Sequence, residues 1–284
     1  MTTSARPRPC VLLDVGNSRL KWALLPSSRR QRSQSTADVR AGGSLAVESV
    51  RRSSKPLLQV LRRSGARASI YVCNVAGPIV ERRIRAAAAA AVLPAPRFIR
   101  TAAAAAGVTN GYLEAWRLGV DRWVALIGAH HQHPTRNLCV VSIGSAMTID
   151  LLTADGRHQG GSITPGPYLM LETLLQSTAG IRRRAGAASA AALTRRRSTP
   201  ARAADGLFAR DTRSALLSGC LRACAELIER SLIEARQRLG ARANLIVTGG
   251  GADCIVPLLR SRYQRDDNLV LHGLAVLASK AASS

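Results

Sequence analysis

A carboxylate beside a glycine turn follows the first apolar run of the sequence. Residues 11–25 read as a strand, a Gly-Asn turn and a second strand, with Asp14 two positions before Gly16. The backbone amides of such a turn can approach phosphate oxygens, and the carboxylate can hold the magnesium ion that phosphate transfer requires. Lys21, on the second strand, is a candidate counter-charge for phosphate. The pattern therefore predicts a phosphate-binding hairpin.

The hairpin pattern returns in the second half of the chain. Residues 139–143 and 147–153 read as two strands, and aligning residues 14–17 on residues 142–145 superposes the two glycine turns. A third glycine turn, at residues 249–251, follows another strand and could take the adenosine end of a nucleotide. Each turn by itself is compatible with an ordinary tight hairpin, but three of them at strand ends in a duplicated chain favour a nucleotide site.

The duplication indicates the architecture. Two hairpins that clasp ATP between two similar α/β domains are typical of the actin-like, sugar-kinase-like (ribonuclease H-like) ATPases. We therefore expect a duplicated α/β fold with a nucleotide cleft between the domains. The expected domains are residues 1–117, with the phosphate loop, and residues 118–284, with the substrate loop and the second nucleotide loop.

A carboxylate and a guanidinium are adjacent where a loop is expected to enter a helix. Asp121 could cap that helix or accept a proton, and Arg122 could bind an acidic substrate through two parallel hydrogen bonds. A capping Asp beside a surface Arg explains these two residues equally well. The glycine-rich residues 160–166 supply either a flexible turn toward the same side of the sheet or a plain hairpin exit.

Apolar periodicity predicts the main helices. These helices are expected over residues 81–92, 122–131 and 216–239. Residues 102–107 are expected to form a loop or a short helix. The low-complexity residues 182–202 are expected to be mobile.

The composition is that of a globular protein with a large excess of positive charge. The 284 residues are 46% hydrophobic and 20% charged, which excludes a wholly disordered chain. Forty-one Lys and Arg against 17 Asp and Glu give a net charge of +24, so nucleic acid has to be considered as a partner. Only 3% of the residues are aromatic and no recognition motif accompanies the arginines, so any such binding is expected to be nonspecific.

The cysteines and the apolar runs indicate a cytoplasmic protein. None of the six cysteines forms a CxxC pair, which argues against a zinc site and favours reduced thiols in the core. The first residues do not have the pattern of a signal peptide, and the alanine-rich residues 86–93 are too few to span a bilayer. We therefore expect no membrane partner.

Six motifs together resemble those of the type III pantothenate kinases, the family also known as Bvg accessory factors. They cover most of the chain in the expected order, and LGVDRW together with GGSITPG is not a general feature of ATPases. The motifs are DVGNSRLKW at residues 14–22, YLEAWRLGVDRW at 112–123, GSAMTID at 144–150, GGSITPG at 160–166, STAGI at 177–181 and TGGGA at 248–252.

The resemblance implies a cytoplasmic homodimeric kinase that makes 4'-phosphopantothenate from ATP and pantothenate, the first step of coenzyme A biosynthesis, with Mg²⁺ and a monovalent cation. It implies that Asp121 is the catalytic base for the substrate hydroxyl and that Asp14 holds Mg²⁺ directly or through water. The implied ATP-binding residues are Asp14, Val15, Gly16, Asn17, Ser18, Arg19, Leu20, Lys21 and Ser145. The implied pantothenate-binding residues are Tyr112, Gly119, Val120, Asp121, Arg122 and Thr178.

One position departs from the family pattern. Where the family usually has Asp-x-Gly-Thr, this chain has Ser142, Ile143, Gly144 and Ser145. A hydroxyl thus replaces the carboxylate expected to hold K⁺ or NH₄⁺. Either the dependence on the monovalent cation is weakened, which we expect, or another acidic group, such as one from a partner subunit, holds the ion instead. Two other interpretations stay open: another small-molecule kinase or ATPase of the same fold, and a basic regulatory protein that binds nucleic acid. Tyr112 together with LGVDRW argues against the first.

Overall fold

The structure is a computed structural model that describes residues 9–25, 39, 41–65, 67–185 and 206–283. The chain forms two compact units. Unit 1 consists of Met1–Thr135, Thr153–Gln159 and Asn268–Ser284, and unit 2 consists of Arg136–Leu152 and Gly160–Asp267. The domain boundary predicted between residues 117 and 118 lies inside unit 1, because the helix that begins just after it packs against elements of that unit.

Unit 1 is built on a five-stranded sheet in the order β3-β2-β1-β4-β5. The central strand β1 is almost entirely buried and pairs antiparallel with β2 and parallel with β4. A parallel neighbour requires a crossover connection, which helices supply here. The strands are β1 (Cys10–Val15), β2 (Arg19–Leu25), β3 (Gly43–Ala46), β4 (Ser69–Asn74) and β5 (Arg97–Phe98). A separate two-stranded ladder joins β6 (Ala104–Ala105) and β7 (Val108–Thr109).

Helices cover both faces of the unit 1 sheet. Val11, Leu13 and Val15 project from one face of β1 into a core formed with three helices, α1 (Val47–Arg52), α2 (Lys55–Arg62) and α3 (Pro78–Ala90). Leu12, on the opposite face, is also fully buried, and two further helices contact the sheet: α4 (Val120–Gln132) and α9 (Leu269–Ser283). Unit 1 is therefore a three-layered α/β/α structure.

Helices α4 and α9 approach each other backbone to backbone. A Cβ atom on Gly273 would lie 1.9 Å from the carbonyl oxygen of Val124, and one on Gly128 would lie 2.5 Å from that of Leu269. Real Cβ atoms do not tolerate such distances, so only glycine fits at these two positions. The contact fixes α4, which carries Asp121 and Arg122, to the C-terminal helix.

Unit 2 repeats the layout with a sheet in the order β10-β9-β8-β11-β12. Its strands are β8 (Asn137–Ile143), β9 (Ala146–Leu152), β10 (His158–Pro165), β11 (Ala243–Thr248) and β12 (Tyr263–Arg265), with the first two residues of β10 assigned to unit 1. Its helices are α5 (Pro167–Ser177), α6 (Ala179–Ala185), α7 (Thr212–Leu239) and α8 (Ala252–Ile255). Helix α7 packs on β8, β9 and β11 through residues that include Leu221, Ile228 and Leu232.

The two sheets share one topology, which confirms the predicted duplication. In both orders, the middle strand has the second strand of its hairpin on one side and a parallel strand on the other. Asp14 is the penultimate residue of β1, and Ser142 is the penultimate residue of β8. The alignment of these two residues made on the sequence is therefore also the structural one.

The helix predictions are confirmed, with boundaries moved by a few residues. The observed helices are Pro78–Ala90, Val120–Gln132 and Thr212–Leu239. The prediction for residues 102–107 is wrong in part, because Ala104–Ala105 forms a strand paired with Val108–Thr109 across a turn at Gly107.

The low-complexity segment is described only at its start. Residues 182–185 belong to helix α6, and residues 186–202 lie outside the described residues. Among the described helices, none combines the length and apolar character that crossing a bilayer requires.

Candidate active site

The hairpin of β1 and β2 presents an exposed polar turn. The Gly16 amide donates to the carbonyl oxygen of Arg19 at 3.0 Å, which closes the turn. Asn17, Ser18 and Arg19 are exposed. Val15 and Leu20, also expected to bind ATP, have side chains that are fully buried in the core, so only their backbone atoms are available to a ligand.

Asp14 lies where this hairpin meets the parallel strand. Its neighbours across the sheet are Lys21 on β2 and Cys73 on β4. The pKa of Asp14 is raised to about 7, mainly by burial, with Lys21 opposing the shift and the nearby Asp121 carboxylate adding to it. Asp14 and Asp121 are thus close enough to interact, although they lie 107 positions apart in the sequence.

The thiol of Cys73 belongs to the same cluster. Burial raises its pKa well above the ordinary value, and Asp14 and Asp121 act in the same direction. The thiol therefore stays protonated at neutral pH and is not a nucleophile. Its position indicates that the two carboxylates and the thiol surround one small region of unit 1.

Asp121 lies in the first turn of α4. The helix begins after Gly119, so Asp121 is not the N-cap residue. Its Oδ1 atom accepts a hydrogen bond from the Arg122 amide at 2.9 Å and would lie 2.8 Å from a Cβ on Gly119. Glycine at residue 119 therefore leaves room for the carboxylate.

Arg122 is buried, with 5% of its surface exposed. The alternative that it is an ordinary surface arginine is wrong. Its Nη1 atom donates to the Tyr112 hydroxyl at 2.8 Å, and its guanidinium lies over the Tyr112 ring at 5.4 Å. A buried guanidinium held in one orientation can bind a carboxylate without a large loss of conformational entropy.

The loop that carries Tyr112 is held by polar contacts. The Asn110 side chain accepts from the Tyr112 amide at 3.0 Å and donates to the carbonyl oxygen of Ala115 at 3.0 Å. The Thr101 hydroxyl donates to the carbonyl oxygen of Leu118 at 2.8 Å. Ala115–Arg117 forms a 3₁₀ turn within this loop.

Sequence reasoning missed His158, a buried residue that stacks on Tyr112. The two ring centroids are 5.8 Å apart and the ring planes differ by 19°. His158 lies just before the glycine-rich motif at residues 160–166, and nothing in its type or spacing indicated a contact with Tyr112.

In unit 2 the glycine turns come together around the end of β8. The Gly251 amide donates to the carbonyl oxygen of Ile143 at 2.9 Å, and the Gly166 amide donates to that of Ser145 at 2.7 Å. Gly249 has a φ of +97°, and a Cβ there would lie 2.3 Å from the Ile143 oxygen. Three segments predicted to bind nucleotide or substrate thus share one end of this sheet, and Ser145 is exposed there.

Ser142 has only hydroxyl neighbours in register. Thr148 on β9 and Thr248 on β11 are its partners across the sheet, and paired residues project to the same face. Thr178 follows α5 in the same unit, and its hydroxyl donates to the carbonyl oxygen of Leu174.

Solved structures with the same fold define the class of the protein. A protein of Sinorhizobium meliloti described as a 2-dehydro-3-deoxygalactonokinase matches with a TM-score of 0.52 and 17% identity, over 96% of this chain and 98% of that chain. MreB5 of Spiroplasma citri bound to ADP matches with a TM-score of 0.52 and 10% identity, over 97% of this chain and 98% of that chain. The fold is that of the actin-like and sugar-kinase-like ATPases.

Sequence comparison places the chain within that class. A family model for type III pantothenate kinase matches residues 10–234. The type III pantothenate kinase of Burkholderia thailandensis is 38% identical over 96% of this chain and 98% of its own length, and that of Burkholderia mallei strain SAVP1 is 39% identical over 96% and 100%. The chain belongs to the type III pantothenate kinase family.

Proposed function

We propose that the protein transfers the γ-phosphate of ATP to pantothenate, producing 4'-phosphopantothenate in the first step of coenzyme A biosynthesis. Membership of the family, with relatives that align over almost the whole chain, carries this proposal. The unit 1 cluster supports it, because it combines a phosphate turn, two carboxylates and a buried arginine.

Asp121 is assigned as the general base. The primary hydroxyl of pantothenate gives its proton to the Asp121 carboxylate while its oxygen forms the bond to the γ-phosphorus. The bond from that phosphorus to the oxygen shared with the β-phosphate breaks, and ADP leaves with the electron pair. Support for this role comes from the position of Asp121 in the first turn of α4, close to Asp14.

Arg122 and Tyr112 are assigned to the recognition of pantothenate. The substrate carries a carboxylate, and a buried guanidinium bound to a tyrosine hydroxyl supplies a fixed positive charge and a directed donor. Gly119, Val120 and Thr178 complete the proposed substrate set. Val120 lies in the first turn of α4 beside the base.

The proposed ATP site uses the turn at residues 16–18 with Lys21, and Ser145 of unit 2. Mg²⁺ bound with ATP neutralises phosphate charge, and it typically takes one or two protein carboxylates with the remaining ligands from phosphate and water. Asp14, at the end of β1 beside the phosphate turn, is the carboxylate proposed for this role. A carboxylate with a raised pKa also gains from a bound cation, which favours its ionised form.

Weak dependence on K⁺ or NH₄⁺ is proposed for this chain. The hydroxyls of Ser142, Thr148 and Thr248 offer oxygen atoms without the negative charge that offsets the desolvation of an ion. We further propose that the enzyme is a homodimer and acts in the cytoplasm, where ATP is the phosphate donor. Any nucleic-acid binding is assigned to the net charge of +24 alone.

The deciding experiment is a coupled assay of ADP release. Purified protein with Mg²⁺-ATP should release ADP rapidly when pantothenate is present and only slowly without it. Simple sugars and other small alcohols serve as matched acceptors. Rapid release with one of these, and none with pantothenate, would establish a different kinase of the same fold.

A further inference from the structure

His158 is placed so that it controls the position of Tyr112. His158 is 2% exposed and Arg122 is 5% exposed, whereas Tyr112, which contacts both, is half-buried. The tyrosine ring therefore packs against two buried groups. A centroid separation of 5.8 Å lies within the range in which aromatic rings attract each other.

The backbone contacts beside the rings keep the two segments together. Thr109 forms an isolated parallel bridge with Arg157, one residue before His158. A Cβ on Gly111 would lie 1.9 Å from the His158 carbonyl oxygen, so the backbones touch directly next to the stacked rings. Three successive contacts thus join residues 109–112 to residues 157–158: the backbone bridge, the close approach at Gly111 and the ring stack.

Tyr112 links the ring stack to Arg122, the arginine proposed to bind the substrate. Tyr112 accepts a hydrogen bond from Arg122 at 2.8 Å and lies beneath its guanidinium. A shift of the Tyr112 ring would weaken both contacts and so change the orientation that Tyr112 gives to the guanidinium. Asp121, by contrast, is held by its own helix turn through the Arg122 amide.

We propose that His158 is a positioning residue for pantothenate binding, which acts by stacking on Tyr112 and so orienting Arg122. This inference rests on the proposed function of the site. The stacking surface of the imidazole carries the effect, so another planar ring of similar size should replace it. The consequence falls on substrate binding rather than on the chemical step, because the base is oriented independently.

The test compares His158→Leu with His158→Phe in the full-length protein. His158→Leu should raise KM for pantothenate about 5- to 10-fold, with kcat and KM for ATP each within about 2-fold of wild type. His158→Phe should restore KM for pantothenate to within about 2-fold of wild type. An unchanged KM in His158→Leu, or equal impairment in His158→Phe, overturns the proposal.

A matched control separates positioning from general destabilisation. His272 is another buried histidine of unit 1, where it accepts from the Gln132 side chain at 2.5 Å and donates to the Val39 carbonyl oxygen at 3.0 Å. His272→Leu should lower the melting temperature and leave KM for pantothenate unchanged. A rise in KM equal to that of His158→Leu would show that loss of stability alone produces the effect, and would refute the positioning role.

A chemical readout keeps the test independent of the activity. Nitration by tetranitromethane, followed by peptide mass spectrometry, reports how accessible Tyr112 is, with the exposed Tyr263 as the internal reference. Tyr112 should react several-fold faster in His158→Leu and at the wild-type rate in His158→Phe. Absence of pantothenate-dependent ADP release by the wild type would refute the proposed function. Equal nitration of Tyr112 in all variants would, independently, overturn the stacking role of His158.

Discussion

Replacing Asp14 with asparagine should stabilise the fold at neutral pH while it impairs the use of Mg²⁺-ATP. The reason is that burial raises the pKa of this carboxyl from its ordinary 3.8 to about 7. A charge that is unfavourable in the folded protein, but not in the unfolded chain, lowers the free energy of unfolding. Asparagine keeps the size of the side chain and cannot ionise.

The size of the effect follows from the pKa difference. Between pH 4 and pH 7 the folded state binds more protons at Asp14 than the unfolded state, so stability falls as the pH rises through this range. A difference of about 3 pKa units corresponds to at most about 4 kcal/mol, and about 2 kcal/mol is expected because water reaches part of the side chain. Above pH 7 the decrease in the free energy of unfolding is complete. The difference in unfolding free energy between wild type and Asp14→Asn then becomes constant.

Urea unfolding of both proteins from pH 4.5 to pH 8.5, without nucleotide or metal, measures this difference. The advantage of Asp14→Asn should be small at pH 4.5 and should grow to its full value by about pH 7.5. Asp155→Asn is the matched control, since Asp155 is exposed and its pKa is lowered by the Thr153 hydroxyl and by Arg157. That variant should show no gain at high pH. A pH-independent difference for Asp14→Asn would refute the raised pKa of Asp14. Unchanged Mg²⁺-nucleotide affinity by calorimetry, together with normal turnover, would refute its metal role.

Three further predictions test other parts of the molecule. Asp121→Asn should lower kcat about 100- to 10,000-fold with ATP binding retained, because the amide cannot accept the hydroxyl proton; a variant with more than about half of the wild-type rate would remove Asp121 from the mechanism. Ser142→Asp should create activation by K⁺ in a sodium-free assay in which wild type is already active without added ion, and steep activation of wild type itself would contradict the expected weak dependence. Gly273→Ala should destabilise the protein by about 3 kcal/mol in urea unfolding, because its Cβ would meet the Val124 backbone, whereas Gly219→Ala, on α7 with open space around the position, should be tolerated.

Local sequence patterns were sufficient for the hairpins and the long helices. The Asp14 turn and the turn at residues 144–145 were recognised because glycine at a strand end has few alternative uses. The predicted end of α7 at residue 239 is confirmed, and Gly240 follows it in the left-handed region. The helix begins four residues earlier than predicted, after Asp211, whose side chain accepts from the Ser214 amide at 2.9 Å. These signals depend on neighbours within a few residues.

The features that sequence reasoning missed depend on contacts between distant parts of the chain. Unit 1 includes residues 153–159 and the C-terminal helix, which no local composition change marks. The residues alone left Arg122 open between a surface side chain and a substrate-binding one, because its burial involves Tyr112, ten positions away. His158 acquires its place only when the segment after β9 reaches the loop before α4. Side-chain type alone cannot predict such packing.

The matching positions Asp14 and Ser142 show that the repeat is symmetric in its backbone and asymmetric in its charge. Hydrogen bonding between strands is independent of side-chain identity. Each sheet therefore has an equivalent position, with the second hairpin strand on one side and a parallel strand on the other. In unit 1 this position is occupied by Asp14, and its neighbours are an amine (Lys21) and a thiol (Cys73). In unit 2 it is occupied by Ser142, and both neighbours are threonine hydroxyls. Removing an ionised group from water is unfavourable. Because Ser142 is neutral, only unit 1, with Asp14, carries this loss of stability. The two halves can therefore change polarity independently of each other without altering the scaffold that they share.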